Sequence, residues 1–276
     1  MASCDEFSAY CLASGSSANA MLVCGGGSGL LVDAGLGVRA LGAACVARGV
    51  SPSSLAGLLI THEHIDHVRG AIPFARKYNV PLISTAGTLD MLFAQERRDA
   101  PYRVLPANHE AGLGPFCVRA VPVTHDAMEP VGFRVAFGDV ALAYATDTGT
   151  VTPELREACR GASLLAIESN YDQHKLRFGP YPDSLKARIG GRGGHLSNTA
   201  ACDLLLAHTD EHGPVAAWFA HLSEVNNTPR MVLGYWKKRY RALGHKTSPA
   251  HVEVALRDKP SLVYRVRSRA VQLTLF

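Results

Sequence analysis

The period of apolar and polar positions changes repeatedly along the chain. Residues 20–24 and 29–33 are short apolar runs on either side of Gly25-Gly26-Gly27-Ser28, which predicts two strands joined by a hairpin turn. Residues 38–48 recur at helical spacing. Gly57-Leu58-Leu59-Ile60 is too short for a helix and predicts a buried strand. From Asp66 to Tyr78 the helical period returns, with Val68, Ile72 and Ala75 on one face. Strands are predicted at 116–121, 131–137, 140–146 and 163–167, then a helix over 198–208 capped by Ser197 or Asn198, then a strand over 215–219. Thr228-Pro229 opens another helix, because proline suits a first helical position, and Gly244 closes it after Leu243. On that helix Val232, Trp236, Tyr240 and Leu243 form a stripe for the core, with Lys237, Lys238 and Arg241 opposite. Strands over 251–256 and 262–266 flank Asp258-Lys259-Pro260. No linker or short repeat divides the chain. Two strand-rich halves with helices predict one α/β domain over 1–267, a sheet sandwich covered by helices, with 268–276 as a tail.

Composition narrows this picture. Hydrophobic residues make up 47% of the 276, enough for a sizeable core. The formal charge of +4 is too small to demand a polyanionic partner and allows one. The seven cysteines are odd in number, widely spaced and form no CxxC pair, so a disulfide framework and a structural zinc knuckle are not expected. No charged-then-apolar leader opens the sequence and no apolar run approaches about 20 residues, so a soluble cytoplasmic protein with no membrane partner is expected.

Histidine carries the chemistry. His62 and His64 are alternate residues just after a strand, so both side chains can reach one ion. Asp66 and His67 follow where the chain turns into a helix, and can reach a second. Imidazole and carboxylate donors suit Zn, Mn or Fe, and the lack of thiolates points to catalytic rather than structural use. No GxSxG elbow is present, and Ser14-Gly15-Ser16-Ser17 is not a phosphate-binding Walker loop, because no Gly-Lys-Ser/Thr follows.

Thr61-His62-Glu63-His64-Ile65-Asp66-His67 resembles the signature of metallo-β-lactamase-fold hydrolases. The other elements of that pattern follow in order: Val32-Asp33-Ala34-Gly35 before the signature, then Val123-Thr124-His125-Asp126, Ala145-Thr146-Asp147-Thr148-Gly149 and Ala220-His221-Leu222-Ser223. The resemblance implies a four-layer αββα sandwich and two divalent metal ions, Zn or Mn with Fe also compatible. It places one ion on His62, His64 and His125, a second on Asp66, His67 and His221, and Asp147 between them. Asp33 would accept the free N–H of a ligand imidazole. Two ions about 3.5–4 Å apart can share a water and lower its pKa, which makes a bridging hydroxide the expected nucleophile, with Asp66 and Asp147 as catalytic carboxylates.

Further stretches resemble the bacterial YycJ (WalJ) family, a metal-dependent DNA exonuclease group: Ser14-Gly15-Ser16-Ser17-Ala18-Asn19, Glu168-Ser169-Asn170-Tyr171-Asp172, Gly194-His195-Leu196-Ser197-Asn198 and His221-Leu222-Ser223 with Asn226-Asn227. Ala18 stands where that family is expected to have Gly, and Ile65 where it is expected to have Ser. The resemblance implies a DNA exonuclease acting in replication-linked repair. Alternatives are another hydrolase of the fold (a small cyclic phosphodiesterase, lactonase or thioesterase) or a scaffold with an inactive site. His195 and Ser197, at a Gly-rich turn before a helix, are candidates for binding a phosphate or, for His195, protonating the leaving oxygen; a capping turn is the alternative. Asn226 and Asn227 offer a second polar turn with the same two readings. A basic surface from Lys237, Lys238, Arg241, Arg257, Lys259, Arg265, Arg267 and Arg269 would contact a nucleic-acid backbone, or merely be solvated.

The last residues, Gln272-Leu273-Thr274-Leu275-Phe276, resemble the QLxLF peptide by which bacterial DNA polymerases and repair proteins bind the sliding clamp. In that reading Gln272, Leu273, Leu275 and Phe276 bind the partner, with Leu275 and Phe276 filling an apolar pocket while the extended backbone and Gln272 hydrogen-bond at its rim. The alternative is a terminal strand, since Val271, Leu273 and Leu275 alternate.

Overall fold

The computed structural model describes residues 6–94, 99–257 and 259–268. The first half supplies β1 (Glu6–Ala13), β2 (Ala20–Gly25), β3 (Ser28–Val32), α1 (Val38–Val46), β4 (Leu55–Leu59), α2 (Ile65–Val68), α3 (Ala71–Tyr78), β5 (Leu82–Ser84), α4 (Ala86–Phe93) and β6 (Tyr102–Val104). The second supplies β7 (Glu110–Leu113), β8 (Phe116–Pro122), β9 (Val131–Phe137), β10 (Val140–Ala145), α5 (Pro153–Cys159), β11 (Leu164–Glu168), α6 (Gln173–Phe178), α7 (Asp183–Ile189), α8 (Asn198–His212), β12 (Ala216–Ala220), α9 (Pro229–Ala242) and β13 (His251–Val254). β14 (Leu262–Arg267) then crosses to the first sheet. The sheets run β14-β1-β2-β3-β4-β5-β6 and β13-β12-β11-β10-β9-β8-β7.

The central strands of each sheet are buried on both faces, which explains why they read as continuous apolar runs. On β2, Met21 and Val23 pack against the opposite sheet, while Ala20 and Leu22 pack under the helices with Leu41, Phe74 and Leu89. On β10, Leu142 and Tyr144 face the inter-sheet core, and Ala143 and Ala145 face a second helical layer containing Leu205, Val232 and Trp236. Two helical layers therefore enclose two sheets, a four-layer αββα sandwich.

The structure adds elements that the sequence pattern hides. β1 is rich in Ser, Ala and Cys, so its alternation carries little hydrophobic signal although Phe7, Ala9 and Cys11 lie in the inter-sheet core. The expected helix from Asp66 to Tyr78 is two helices, α2 and α3, broken at Gly70. A Cβ at Gly70 would lie 2.2 Å from the Leu36 carbonyl oxygen, so backbone contact, not hydrophobic period, fixes the break. Leu243 does not join the stripe of Val232, Trp236 and Tyr240. It is the C-cap residue beyond α9 and is 55% exposed.

β3 to β6 run parallel to one another, as do β10 to β13. Their C-terminal ends meet at one rim of the sandwich, where α/β sheets commonly place ligands. β14 is antiparallel to β1, with Leu262 opposite Cys11 and Arg267 opposite Glu6. The chain therefore leaves β14 at the rim remote from those strand ends. Ser268, the first residue of the expected tail, is buried and donates to Asp139 Oδ1 at 2.6 Å. Arg269 and Gln272 to Phe276 lie outside the described residues, as does Asp258. No helix among the described residues is long and apolar enough to cross a membrane.

A candidate metal centre at the strand ends

Strand ends aim the polar side chains. Asp33 follows β3, the stretch 61–67 follows β4, His125 follows β8, Asp147 follows β10, Glu168 ends β11 and His221 follows β12. Asp33, Asp147 and His221 have left-handed backbones, with φ of 59°, 54° and 52°. Such conformations cost about 1–3 kcal/mol each and persist where surrounding structure enforces them. Gly35 belongs to the same framework, because a Cβ there would lie 1.8 Å from the Asp66 carbonyl oxygen.

Four overlapping groups of ligand atoms result: His62, His64 and His125; Asp66, His67 and His221; His62, His67 and Asp147; and Asp147, Glu168, His195 and His221. Ligand atoms of His62, His64 and His125 all lie within 4.8 Å of one another, as do those of Asp66, His67 and His221. Asp147 stands between them. Its Oδ1 is 3.7 Å from His125 Nε2, and its Oδ2 is 3.0 Å from His67 Nε2 and 2.9 Å from His221 Nδ1.

The far side of each ring is held by other groups. His67 Nδ1 is 2.8 Å from Asp33 Oδ2, and Thr61 Oγ1 donates to Asp33 while lying 3.0 Å from His62 Nδ1. His125 Nδ1 donates to the Gly194 carbonyl at 3.0 Å. These contacts fix ring orientation and turn the Nε2 atoms inward. Asn19, quoted in the N-terminal motif without a role, donates to Asp66 Oδ2 at 3.1 Å.

The centre lacks partners that protein groups could supply. His62 Nε2, Asp147 Oδ2 and both nitrogens of His221 are buried and make no hydrogen bond among the described residues. The short approaches of Asp147 Oδ2 to His67 and His221 are thus charge contacts without hydrogen-bond direction. Orphaned donors and acceptors are costly, and a cation among nitrogen and carboxylate ligands would satisfy them. The residues present therefore fit a divalent metal.

Electrostatics agree. Burial alone would raise the Asp147 pKa, but the charges of His221 and His67 hold it well below the usual carboxylate range. Asp66 is also held low, because His67 and His221 outweigh its burial. Burial would lower His221, yet Asp147 and Glu168 push it up to about 10. Asp33 and Asp147 likewise raise His67 well above the ordinary histidine value against its burial. His62 is driven well below it by burial and by neighbouring His67, and His125 is lowered by burial. Carboxylates that draw protons in this way also attract metal, which replaces those protons.

The structure adds Glu168 to the site, a residue quoted in a motif but given no role. It is wholly buried at the end of Leu164–Glu168. Its Oε2 accepts the backbone N–H of Thr148 at 2.9 Å and of Leu196 at 3.1 Å, and its Oε1 lies 2.8 Å from His195 Nδ1. A carboxylate closing an apolar strand was the available signal. Glu168 also raises the His195 pKa against the effect of burial.

Two of the other expected contacts, Ser197 and Asn227, are already engaged within the protein. Ser197 is the N-cap of α8, with its hydroxyl accepting from Ala200 N, and is 6% exposed. Asn227 is 2% exposed and spends its amide on Ser169 O, Asn198 Oδ1 and Thr228 N. Asn226 is buried too, its backbone N–H donating to Ser223 Oγ. The polar atoms of Ser197 and Asn227 are thus engaged within the protein, which argues against their binding a phosphate, whereas Asn226 Nδ2 is buried with no hydrogen-bond partner among the described residues. Ile65 is 64% exposed on the lip of the site, and Ala18 is buried.

The family description "Beta-lactamase superfamily domain" matches residues 29–218. The chain is 35% identical over 220 residues to "Exodeoxyribonuclease YycJ" of Bacillus anthracis, covering 78% of this chain and 82% of that one. The chain belongs to the metallo-β-lactamase superfamily, in its YycJ/WalJ branch. "Exodeoxyribonuclease WalJ" of Streptococcus pneumoniae is 31% identical with 78% and 81% coverage. The metallo-β-lactamase fold protein YhfI from Bacillus subtilis superimposes with a TM-score of 0.68 at 17% identity, over 95% of this chain and 100% of that one, and speaks for the fold. As a YycJ/WalJ-branch member the protein is a metal-dependent hydrolase, and its superfamily works with divalent metal.

Proposed function

We propose that the protein is a dinuclear phosphodiester hydrolase that removes nucleotides from DNA ends, in replication-linked repair. The observation that carries the dinuclear reading is the position of Asp147, its carboxylate between His62, His64 and His125 on one side and Asp66, His67 and His221 on the other. In this reading the first three would hold one ion, the last three a second, and Asp147 would be available to both, while Asp33 orients His67. The relatives named exodeoxyribonucleases support DNA as substrate. When bound, the ions (Zn or Mn, with Fe also compatible) supply a Lewis acid for a phosphoryl oxygen and lower the pKa of the attacking water.

His195 supplies the leaving-group proton. Glu168 engages Nδ1, so Nε2 is the nitrogen left to face a substrate. The side chain is 22% exposed, beside Asp147 Oδ1 at 3.5 Å. As water adds to phosphorus and the P–O bond to the departing nucleotide breaks, a proton from His195 neutralises the leaving oxygen.

The sliding-clamp reading of Gln272 to Phe276 belongs to the same proposal. The exit of β14 at the rim remote from the metal cluster supports it, because a partner tethered there would leave the site open.

The test is incubation of metal-loaded protein with end-labelled single- and double-stranded DNA and RNA. Stepwise release of mononucleotides from DNA is expected. Failure to release nucleotides from any of the four, with hydrolysis of a thioester or lactone instead, would overturn the reading.

A further inference from the structure

A groove of about 500 Å³ opens beside the cluster, walled by Ser14, Leu222, Pro229, Leu256, Arg257 and Lys259. Its size is within the range of small-molecule sites. It adjoins the metal cluster covalently and by hydrogen bond. Leu222 follows His221, and the His221 backbone N–H donates to Ser14 Oγ at 2.8 Å.

The groove has two chemistries. Leu222, Pro229 and Leu256 give an apolar wall, and Arg257 and Lys259 bring two positive charges. Close packing holds Arg257 in place. Its side chain lies along the turn after β1, where a Cβ at Gly15 would come within 2.8 Å of Arg257 Cγ. Its Nε is buried with no hydrogen-bond partner among the described residues. Its Nη1 is 3.4 Å from Glu224 Oε1, but that carboxylate is 78% exposed, and so open a pair is worth little. The guanidinium is thus held rigidly yet remains available to an anion, and Lys259 is exposed beside it.

We propose that this groove seats the nucleotide next to the scissile phosphate, its base against Leu222, Pro229 and Leu256 and its phosphate at Arg257 and Lys259. The proposal rests on the phosphodiester reading of the metal site. An apolar wall can take the face of any base, and cations can track any backbone, so the groove binds a nucleic-acid strand without reading its sequence. A plain anion site would not need the apolar wall, and a lipid or peptide site would not need two cations beside a phosphodiester-cleaving centre.

Binding of a fluorescein-labelled phosphorothioate DNA 12-mer to metal-loaded protein, followed by anisotropy across a salt series, tests this without requiring turnover. The double variant R257Q/K259Q should raise Kd about tenfold at low salt. The log K against log salt slope should become shallower by about 0.7 for each phosphate no longer neutralised. K259Q alone alters only an exposed side chain and should give about half the effect, which guards against misfolding of the double variant. Leu256→Ala should raise Kd and leave the slope unchanged. Unaltered Kd and slope in all three variants would overturn the groove assignment. If the wild type releases nucleotides while binding is unaltered in the variants, the nuclease reading stands and the groove falls. If binding weakens in a protein that cleaves no nucleic acid, the groove binds a strand but not beside a scissile phosphate, and the hydrolytic reading falls together with the placement proposed here.

Discussion

His195 Nδ1 lies 2.8 Å from Glu168 Oε1, and Glu168 is wholly buried with its other oxygen fixed by two backbone N–H groups. The pair holds a proton on an imidazole at the edge of the metal cluster. His195→Ala should spare metal content, measured by elemental analysis, and lower phosphodiester turnover by about 10²-fold or more, the usual cost of losing a general acid. Unchanged turnover would assign His195 to the capping turn. Because Glu168 raises the His195 pKa, the protonated donor is lost only at higher pH. Glu168→Gln removes that effect, so the alkaline limb of the kcat profile should move to lower pH. An alkaline limb that stays in place would separate Glu168 from proton transfer.

Asp66 and His67 belong to one cluster with His221. Asp66→Ala or His67→Ala should abolish hydrolysis and lose about one metal ion per chain, because the remaining ligands leave that ion under-coordinated. Two retained ions together with full activity would remove the dinuclear assignment.

The same cluster sets how the metal-free protein responds to pH. His221 and His67 have folded pKa values above the histidine value of about 6.5 expected when unfolded. Their contribution is complete below that value and is lost as pH rises toward about 10, where His221 titrates. His62 and His125 are shifted the other way, so below about pH 6.5 the unfolded chain takes up protons that the folded one refuses. Metal-free protein should therefore be most stable near pH 6.5, with Tm falling on either side. Divalent metal, which displaces the protons from His67 and His221, should move the optimum upward. A metal-free Tm that climbs steadily from pH 6.5 to 9 would contradict this electrostatic account.

Of the candidate site, the 62–67 cluster could be read from the residues themselves, as polar ligands directly after the apolar run Leu58-Leu59-Ile60, whereas Asp33, His125, Asp147 and His221 were assigned only through the resemblance to the metallo-β-lactamase-fold signature. The layered fold was legible because long apolar strands must be covered on both faces. What stayed hidden depends on backbone geometry and on commitments made at a distance. The break at Gly70 follows from contact with Leu36, and β6, exposed along its length, has no apolar signature. Ser197 and Asn227 have the right chemistry for a phosphate, yet their polar groups are used by Ala200, Ser169, Asn198 and Thr228. Sequence spacing records which groups are present; it does not record which are already engaged.

The last prediction concerns residues 272–276. The described residues before them end at the rim remote from His62 and Asp147: β14 ends opposite Glu6, and Ser268 is tied to Asp139 in the turn between β9 and β10. If Gln272, Leu273, Leu275 and Phe276 form a clamp ligand, a short linear segment must lose conformational freedom on binding, so its isolated affinity should be modest, about micromolar. Deletion of 272–276 should leave metal content and hydrolysis of short oligonucleotides intact. It should weaken binding to purified clamp and any clamp stimulation on long DNA, where tethering raises the effective concentration of enzyme at the substrate. Surface plasmon resonance of full-length and truncated protein on immobilised clamp measures this directly. Equal binding by both, or a large fall in Tm on truncation, would mean that Val271, Leu273 and Leu275 extend the first sheet as a strand and that the clamp reading is wrong.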